Sequence, residues 1–444
     1  IYLAPILLLL LGPSFLNRLS QAVAEERAAT VSAFIAARFG HDVVIARLVT
    51  VIALLGTIPY VALQLRSIGV ALSIVSGSSV LVPGMIGAAV LLALFALLFG
   101  ARKFEIAARS EGMLYAIGVE SLLKIGALGA VGATAVFMLA KASPAEIAHG
   151  VAIMEERFRP EGLTIEFAVV GLISAMAIIV LPRQFFMAIV EAQRSDDLAR
   201  ARFGLAAYLG AMAMVVIPIA LAGTAMLGKD VPPDLYVLQL PAAGNHGIIV
   251  VAALLGGISA AAAMVIVDAT AMATMVSNDL FFPTVLRSAA AAQSGAIGRR
   301  MLAVRRGSIV GIIGLALVWG LLLSARESLA SIGLVAFAAM AQFTPHLILA
   351  VNGRDRAPIA ARASLAVGLV LWLYTLALPP ILPLAWRETL AGTPLDPLRL
   401  LGIGKAPPLV HGVFWSLGAN VAVLAGGTAF AGAPAASVPA APAA

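Results

Sequence analysis

Eleven runs of predominantly apolar residues succeed one another along the chain, at 2–18, 43–76, 82–100, 113–140, 164–192, 203–227, 247–277, 308–324, 328–351, 361–385 and 410–430. A helix rises 1.5 Å per residue, so roughly 20 apolar residues cross a hydrocarbon core of about 30 Å. Each run reads as a transmembrane helix. The pattern predicts an all-α polytopic membrane domain over 1–430, followed by an Ala/Pro-rich tail or linker over 431–444 with no periodicity. Composition agrees: 61% of residues are hydrophobic and 11% charged, against about 25% charged in soluble domains. Mean hydropathy is +1.04.

The loops between runs alternate in basic content, which gives an orientation. Loops 19–42, 101–112, 193–202, 278–307 and 352–360 are rich in Lys and Arg, the richest being 278–307 with Arg287, Arg299, Arg300, Arg305 and Arg306. Loop 77–81 has no charge, 228–246 only Lys229 as a base, and 325–327 only Arg326. Loops 141–163 and 386–409 are mixed. Basic loops stay in the cytoplasm, so the first residue is expected outside and the C-terminus inside. The net charge of +7 follows from these loops and does not point to nucleic acid. With no cysteine, disulfides, thiolate metal sites and cysteine nucleophiles are excluded. His41, His149, His246, His346 and His411 are scattered without metal-ligand spacing, and no GxxxxGK[ST], GxGxxG or HExxH motif occurs. The residues present carry no enzyme signature, and neither a cofactor nor a metal is expected. The chain opens at Ile1 inside an apolar run without the basic segment of a signal peptide, which reads as a cut within a larger protein.

Several runs hold helix breakers beside polar groups at membrane depth. Run 43–76 contains Pro59-Tyr60 followed by Gln64 and Arg66; run 164–192 is interrupted at Leu181-Pro182-Arg183-Gln184-Phe185; run 247–277 contains Gly256-Gly257 and Asp268; run 328–351 contains Gln342, Thr344, Pro345 and His346. Unwound backbone survives in a bilayer only where protein buries it or where it lines a cavity, and in transporters it marks binding sites. Asp268, Gln64, Arg183, Gln184, Gln342 and His346 are therefore candidates for substrate or coupling roles. Each has a plainer reading: Asp268 as a hydrogen-bond partner of a neighbouring helix, Arg183 as an interfacial cation, Gln342 and His346 as caps of freed carbonyls. Glu120 and Lys124, spaced i,i+4 in the favourable order, read as an intrahelical ion pair.

The stretches Pro59–Leu65, Glu120–Lys124, Leu181–Phe185, Met264–Asp268 and Met275–Leu280 together resemble the sodium:solute symporter family. With Ser32–Gly40 and His411–Leu417, they are most similar to the branch whose symporter domain is fused to a cytoplasmic sensor histidine kinase. The likeness runs from residue 1 to about 425. It implies a LeuT-type core of two inverted five-helix repeats in a bacterial inner membrane, with run 2–18 as the second core helix and the first preceding residue 1. It also implies a sodium site that uses the eighth core helix, run 247–277. There the family's carbonyl position falls on Ala260, and its two hydroxyl positions fall on Ala263 and Met264, which carry none. Protons are accordingly expected to replace sodium as coupling ion. The implied partners are a small polar solute (an amino acid or carboxylate), the bilayer, and a kinase domain following this chain. The implied function is the sensory input of a two-component system, or alternatively a stand-alone secondary active transporter.

Overall fold

The computed structural model describes residues 1–100, 111–158, 165–192, 194, 196–228, 231–282, 294–323, 329–353, 357–403 and 406–430. The calls on Arg102, Lys103, Arg109, Arg287, Lys229, Arg326, Arg354, Arg356, Lys405 and the tail 431–444 lie outside them. Every regular element among the described residues is a helix. Nine of these helices are long and apolar enough to cross a membrane, or up to eleven if each of two bent pairs counts as one span. The chain is a multi-pass membrane protein.

The spans begin and end where the local chemistry requires. The longest helix, α4 (Val43–Ser76), starts at Asp42, whose carboxylate accepts from the amides of Val44 and Ile45 at 2.8 and 3.1 Å. It stops at Gly77, which sits in the left-handed region at φ 63°. Pro59 does not interrupt α4, which runs straight through it. The expected break at Gly256-Gly257 is likewise absent, since α12 (Gly247–Met275) is one continuous helix. Two other breaks occur as the sequence indicates. Leu181 leaves the helical region (ψ 126°) ahead of Pro182, so α8 (Ile165–Val180) meets the segment Pro182–Val190, opened by α9 (Pro182–Phe185), at 45°. Run 328–351 divides into α14 (Leu329–Ala341) and α15 (Thr344–Asn352).

The first run differs from its expected form. It folds as α1 (Leu3–Leu11) and α2 (Pro13–Glu26), which meet at 78° across Gly12. Pro13 has no amide hydrogen to continue the first ladder, so it begins a new helix instead. Helices also fill stretches between the apolar runs: α3 (Val31–Arg38), α7 (Pro144–Phe158) and α11 (Tyr236–Ala243). The remaining elements are α5 (Leu81–Phe95), α6 (Glu111–Lys141), α10 (Asp197–Met226), α13 (Ser294–Leu322), α16 (Pro358–Trp372), α17 (Leu384–Leu390) and α18 (Pro408–Phe430).

Helix α4 is the hub, packing on α5, α12, α13 and α14. Several contacts among the described spans repeat with an offset of five. α4 meets α14 as α12 meets α6, α4 meets α5 as α12 meets α13, and α4 meets α13 as α12 meets α5. α6 meets α10 as α15 meets α2, while α4 with α12, α5 with α13 and α1 with α10 map onto themselves. Small residues permit the closest approaches. A Cβ on Gly56 of α4 would lie 2.7 Å from that of Ala339 on α14, and one on Gly427 of α18 would lie 2.3 Å from that of Ala360 on α16.

Candidate functional site

Three broken or buried helices bring charge into the interior at one place. The turn that opens α9 projects Arg183 toward α12, where Nη1 lies 3.4 Å from Oδ2 of Asp268. Nη2 donates to the hydroxyl of Tyr60 on α4 at 3.4 Å, and the guanidinium carbon stands 5.3 Å from the centre of the Tyr60 ring. The Tyr60 hydroxyl donates to the sulfur of Met264 at 3.3 Å, and its ring stacks on Phe337 of α14 at 6.3 Å. Side-chain exposure is 13% for Arg183 and 5% for Asp268. A lone charge at such depth costs about 2.5–3.5 kcal/mol on insertion scales, so the pair is retained against a penalty that its partners offset.

The pair is loose. Charge-assisted N–H···O contacts normally close to about 2.7–2.9 Å and, for arginine, often form two at once. Here one nitrogen meets one oxygen at 3.4 Å. Guanidinium offers five donors, and among the described residues only these two contacts use them. Arg183 therefore keeps donor capacity for a planar acceptor, and Asp268 keeps an oxygen for a donor.

The other candidates are dispersed. Gln342 stands at the α14–α15 break and bonds across to α18: Nε2 donates to Ser416 at 3.1 Å, and Asn420 donates to its backbone carbonyl at 2.7 Å and to its Oε1 at 3.1 Å. A carbonyl freed by the break is thus capped from another helix. His346 is fully buried and bonds to the Ser364 hydroxyl of α16 at 2.7 Å. Neither contacts Arg183 or Asp268. Gln64 and Gln184 are half-buried, as are Ala260, Ala263 and Met264, while Arg66 is buried. Lys124 lies 3.2 Å from Glu120 on the same helix face.

Two participants escape the sequence reading. Tyr60 sits inside a quoted stretch, and its hydroxyl in an apolar run is the signal that marks it. Asp279, past the end of α12, accepts from Ser32 at 2.5 Å and Thr50 at 2.6 Å, tying α12 to α3 and α4. It borders a cavity of about 300 Å³ that Glu26, Arg27, Thr30, His41 and Asn278 also line. No grouping of three or more potential metal-ligating His, Asp or Glu side chains occurs among the described residues. No family model matches the chain, and no curated protein is significantly similar to it.

Proposed function

We propose that this chain is a symporter-like membrane domain that binds a small carboxylate-bearing solute at Arg183 and Asp268, as the sensory input of a histidine kinase that follows it. The loose Arg183–Asp268 pair carries this reading. A solute carboxylate would take the unused face of the guanidinium, and an amino acid's ammonium would take Asp268. The resemblance of the quoted stretches supports the symporter and kinase assignment. The five-span offset supports a LeuT-type core, because an odd offset reverses direction through the membrane whenever each span crosses once, as in inverted repeats.

Protons are the coupling ion in this reading. Sodium wants hard oxygen ligands, whereas the positions aligned with the family's hydroxyls hold Ala263 and Met264, and the Met264 thioether is engaged by Tyr60. For a solute without an ammonium, Asp268 is the proton acceptor at hand when the solute carboxylate draws Arg183 away from it.

The experiment is a thermal-shift screen of amino acids and small carboxylates on the purified full-length protein. A ligand at a hundred times its Kd should stabilise by about 2.7 kcal/mol. Arg183→Gln should abolish that shift, and Arg183→Lys should weaken it by removing the fork. Where uptake into proteoliposomes is seen, a pH gradient should drive it and Asp268→Asn should remove the pH dependence. A hit whose shift survives Arg183→Gln, or uptake that strictly requires sodium, would refute the proposal.

A further inference from the structure

The strap 393–403, which follows α17, is folded largely by its own hydrogen bonds. Asp396 Oδ1 accepts from the Leu398 amide at 2.9 Å, the Arg399 amide donates to the Asp396 carbonyl at 3.0 Å, and the Leu401 amide reaches back to the Pro394 carbonyl at 2.8 Å. Leu401 stands in the left-handed region at φ 59°, a strained position for a leucine. Among the described residues, two hydrogen bonds tie the strap to the membrane helices. The Tyr374 hydroxyl, in the π-helical turn Leu373–Ala377 that continues α16, donates to the Leu395 carbonyl. The Leu400 amide donates to Nε2 of His411 on α18 at 3.1 Å.

The second tie depends on a proton. An imidazole nitrogen accepts only while it carries none, so this bond holds His411 as the neutral tautomer with its hydrogen on Nδ1. Once protonated, the ring has N–H at both nitrogens, and Nε2–H faces the Leu400 N–H donor against donor. His411 is 4% exposed, which leaves little water to take over the lost bond. Few other ionisable groups surround the ring. His411 is the only one on α18, and Asp396 in the strap is the charge whose field reaches it, with Arg399 further along. Of the elements that pack on α18, α14 carries no ionisable residue and α8 only Glu166, in its exposed first turn. The π-helical turn carries only Tyr374, and α16 only Arg362, which is bonded to Asp42.

We infer that His411 is an acid-sensitive latch: its neutral imidazole holds the strap 393–403 onto α18, and protonation releases the strap. The proton that adds to Nε2 takes the place of the Leu400 bond. Leu401 is then free to leave its left-handed conformation, and the Tyr374 bond remains as the single tie. The Asp396 carboxylate beside the ring favours the imidazolium that forms. An ordinary imidazole titrates near pH 6.5, so the latch works in mildly acid medium. On the orientation that the loop charges predict, the strap lies outside, where it meets the external pH. It follows the turn Pro379–Ile381 through α17, and Pro380 of that turn lines a small cavity with Pro59, Trp319 and Val335 of α4, α13 and α14. Release of the strap therefore loosens the cover of the α4 turn that carries Tyr60.

The test is hydrogen exchange read by mass spectrometry on the purified full-length protein at about pH 7.5 and about pH 5, on either side of an imidazole's titration. Exchange times are scaled for the pH dependence of the chemical step. Protection of peptides covering 393–403 should fall in acid, by up to roughly tenfold per pH unit for one bound proton, while peptides from α12 keep theirs. Glutamine offers a carbonyl that accepts and does not titrate, so in His411→Gln the strap should stay protected at both values. His411→Leu removes the acceptor and should leave the strap unprotected at both. Tyr374→Phe, which cuts the other tie, should keep the acid response. A parent strap equally protected at the two values would overturn the inference. So would an acid response that persists in His411→Gln and His411→Leu, which would place the proton on Asp396 instead.

Discussion

Asp268 and Arg183 stand 85 residues apart in sequence and meet in the interior. Deleting one partner of a buried pair strands the other. Asp268→Ala is expected to destabilise the chain by about 3–5 kcal/mol, and adding Arg183→Met should recover most of that loss, because no unpaired charge then remains. Unfolding titrations in mixed micelles would measure both, and a double variant no more stable than the single one would show that the pair is not coupled. At the membrane edge, Asp42 makes a separate prediction. Burial pushes its carboxyl upward, but bonds from Arg362 and from the amides of Ile45 and Val44 outweigh it, so the pKa lies below the ordinary value. A depressed carboxylate stabilises the fold above its unfolded pKa of about 3.9 and loses that contribution as pH falls through its folded value. Asn caps a helix as well as Asp, so Asp42→Asn removes the charge and spares the cap. The melting-temperature gap between the parent and Asp42→Asn should therefore shrink from about pH 5 to about pH 3. A constant gap would mean that the Arg362 pair contributes nothing.

Helices carry different tolerances to the same chemical change. On α18, Gly427→Val would drive a side chain into Ala360 of α16, where even a bare Cβ lies 2.3 Å away. Forced separation of packed helices costs typically about 1–3 kcal/mol. On α13, Gly314→Ala meets nothing within 4 Å and should be neutral or stabilising by roughly 0.5–1 kcal/mol through helix propensity. Paired thermal melts test both, and equal effects would mean that α16 and α18 do not pack closely at Gly427. Both glycines look alike in the sequence, since only the neighbouring helix distinguishes them. Prolines behave the same way. Pro182 ends a helix, whereas Pro59 sits inside α4, which is buried over much of its length and packed by α5, α12, α13 and α14 among others. The residue type was legible in each case, but the consequence depended on whether surrounding helices held the backbone in place.

For the molecule as a whole, loop charge predicts which ends face the cytoplasm. The chain has no cysteine, so single cysteines report topology cleanly. In intact cells an impermeant thiol reagent should label Asn245→Cys and leave Ser288→Cys, in the segment 283–293 outside the described residues, unmodified until the membrane is opened; the opposite pattern would reverse the orientation. The helical membrane class was already settled by the apolar runs. Hydrocarbon cannot hydrogen-bond a free peptide group, so a run of that length and composition has to satisfy its backbone internally. Near-boundary positions of most spans followed from the same runs, as did the break before Pro182, where the residue preceding proline is forced out of the helical region. Helices α2, α3, α7 and α11 were not read from the apolar runs, which mark only spans; α7 nonetheless carried a local signal, the capping box in which the Glu146 carboxylate accepts from the Ser143 amide at 2.7 Å. The site divides in the same way. Asp268 and Arg183 stood out individually, since an ionisable group in an apolar run is costly and conspicuous wherever it occurs. That they pair with each other, that Tyr60 lies over the guanidinium, and that Gln342 and His346 bond elsewhere were decided by the tertiary packing alone, because a contact across helices depends on which faces meet and at what depth.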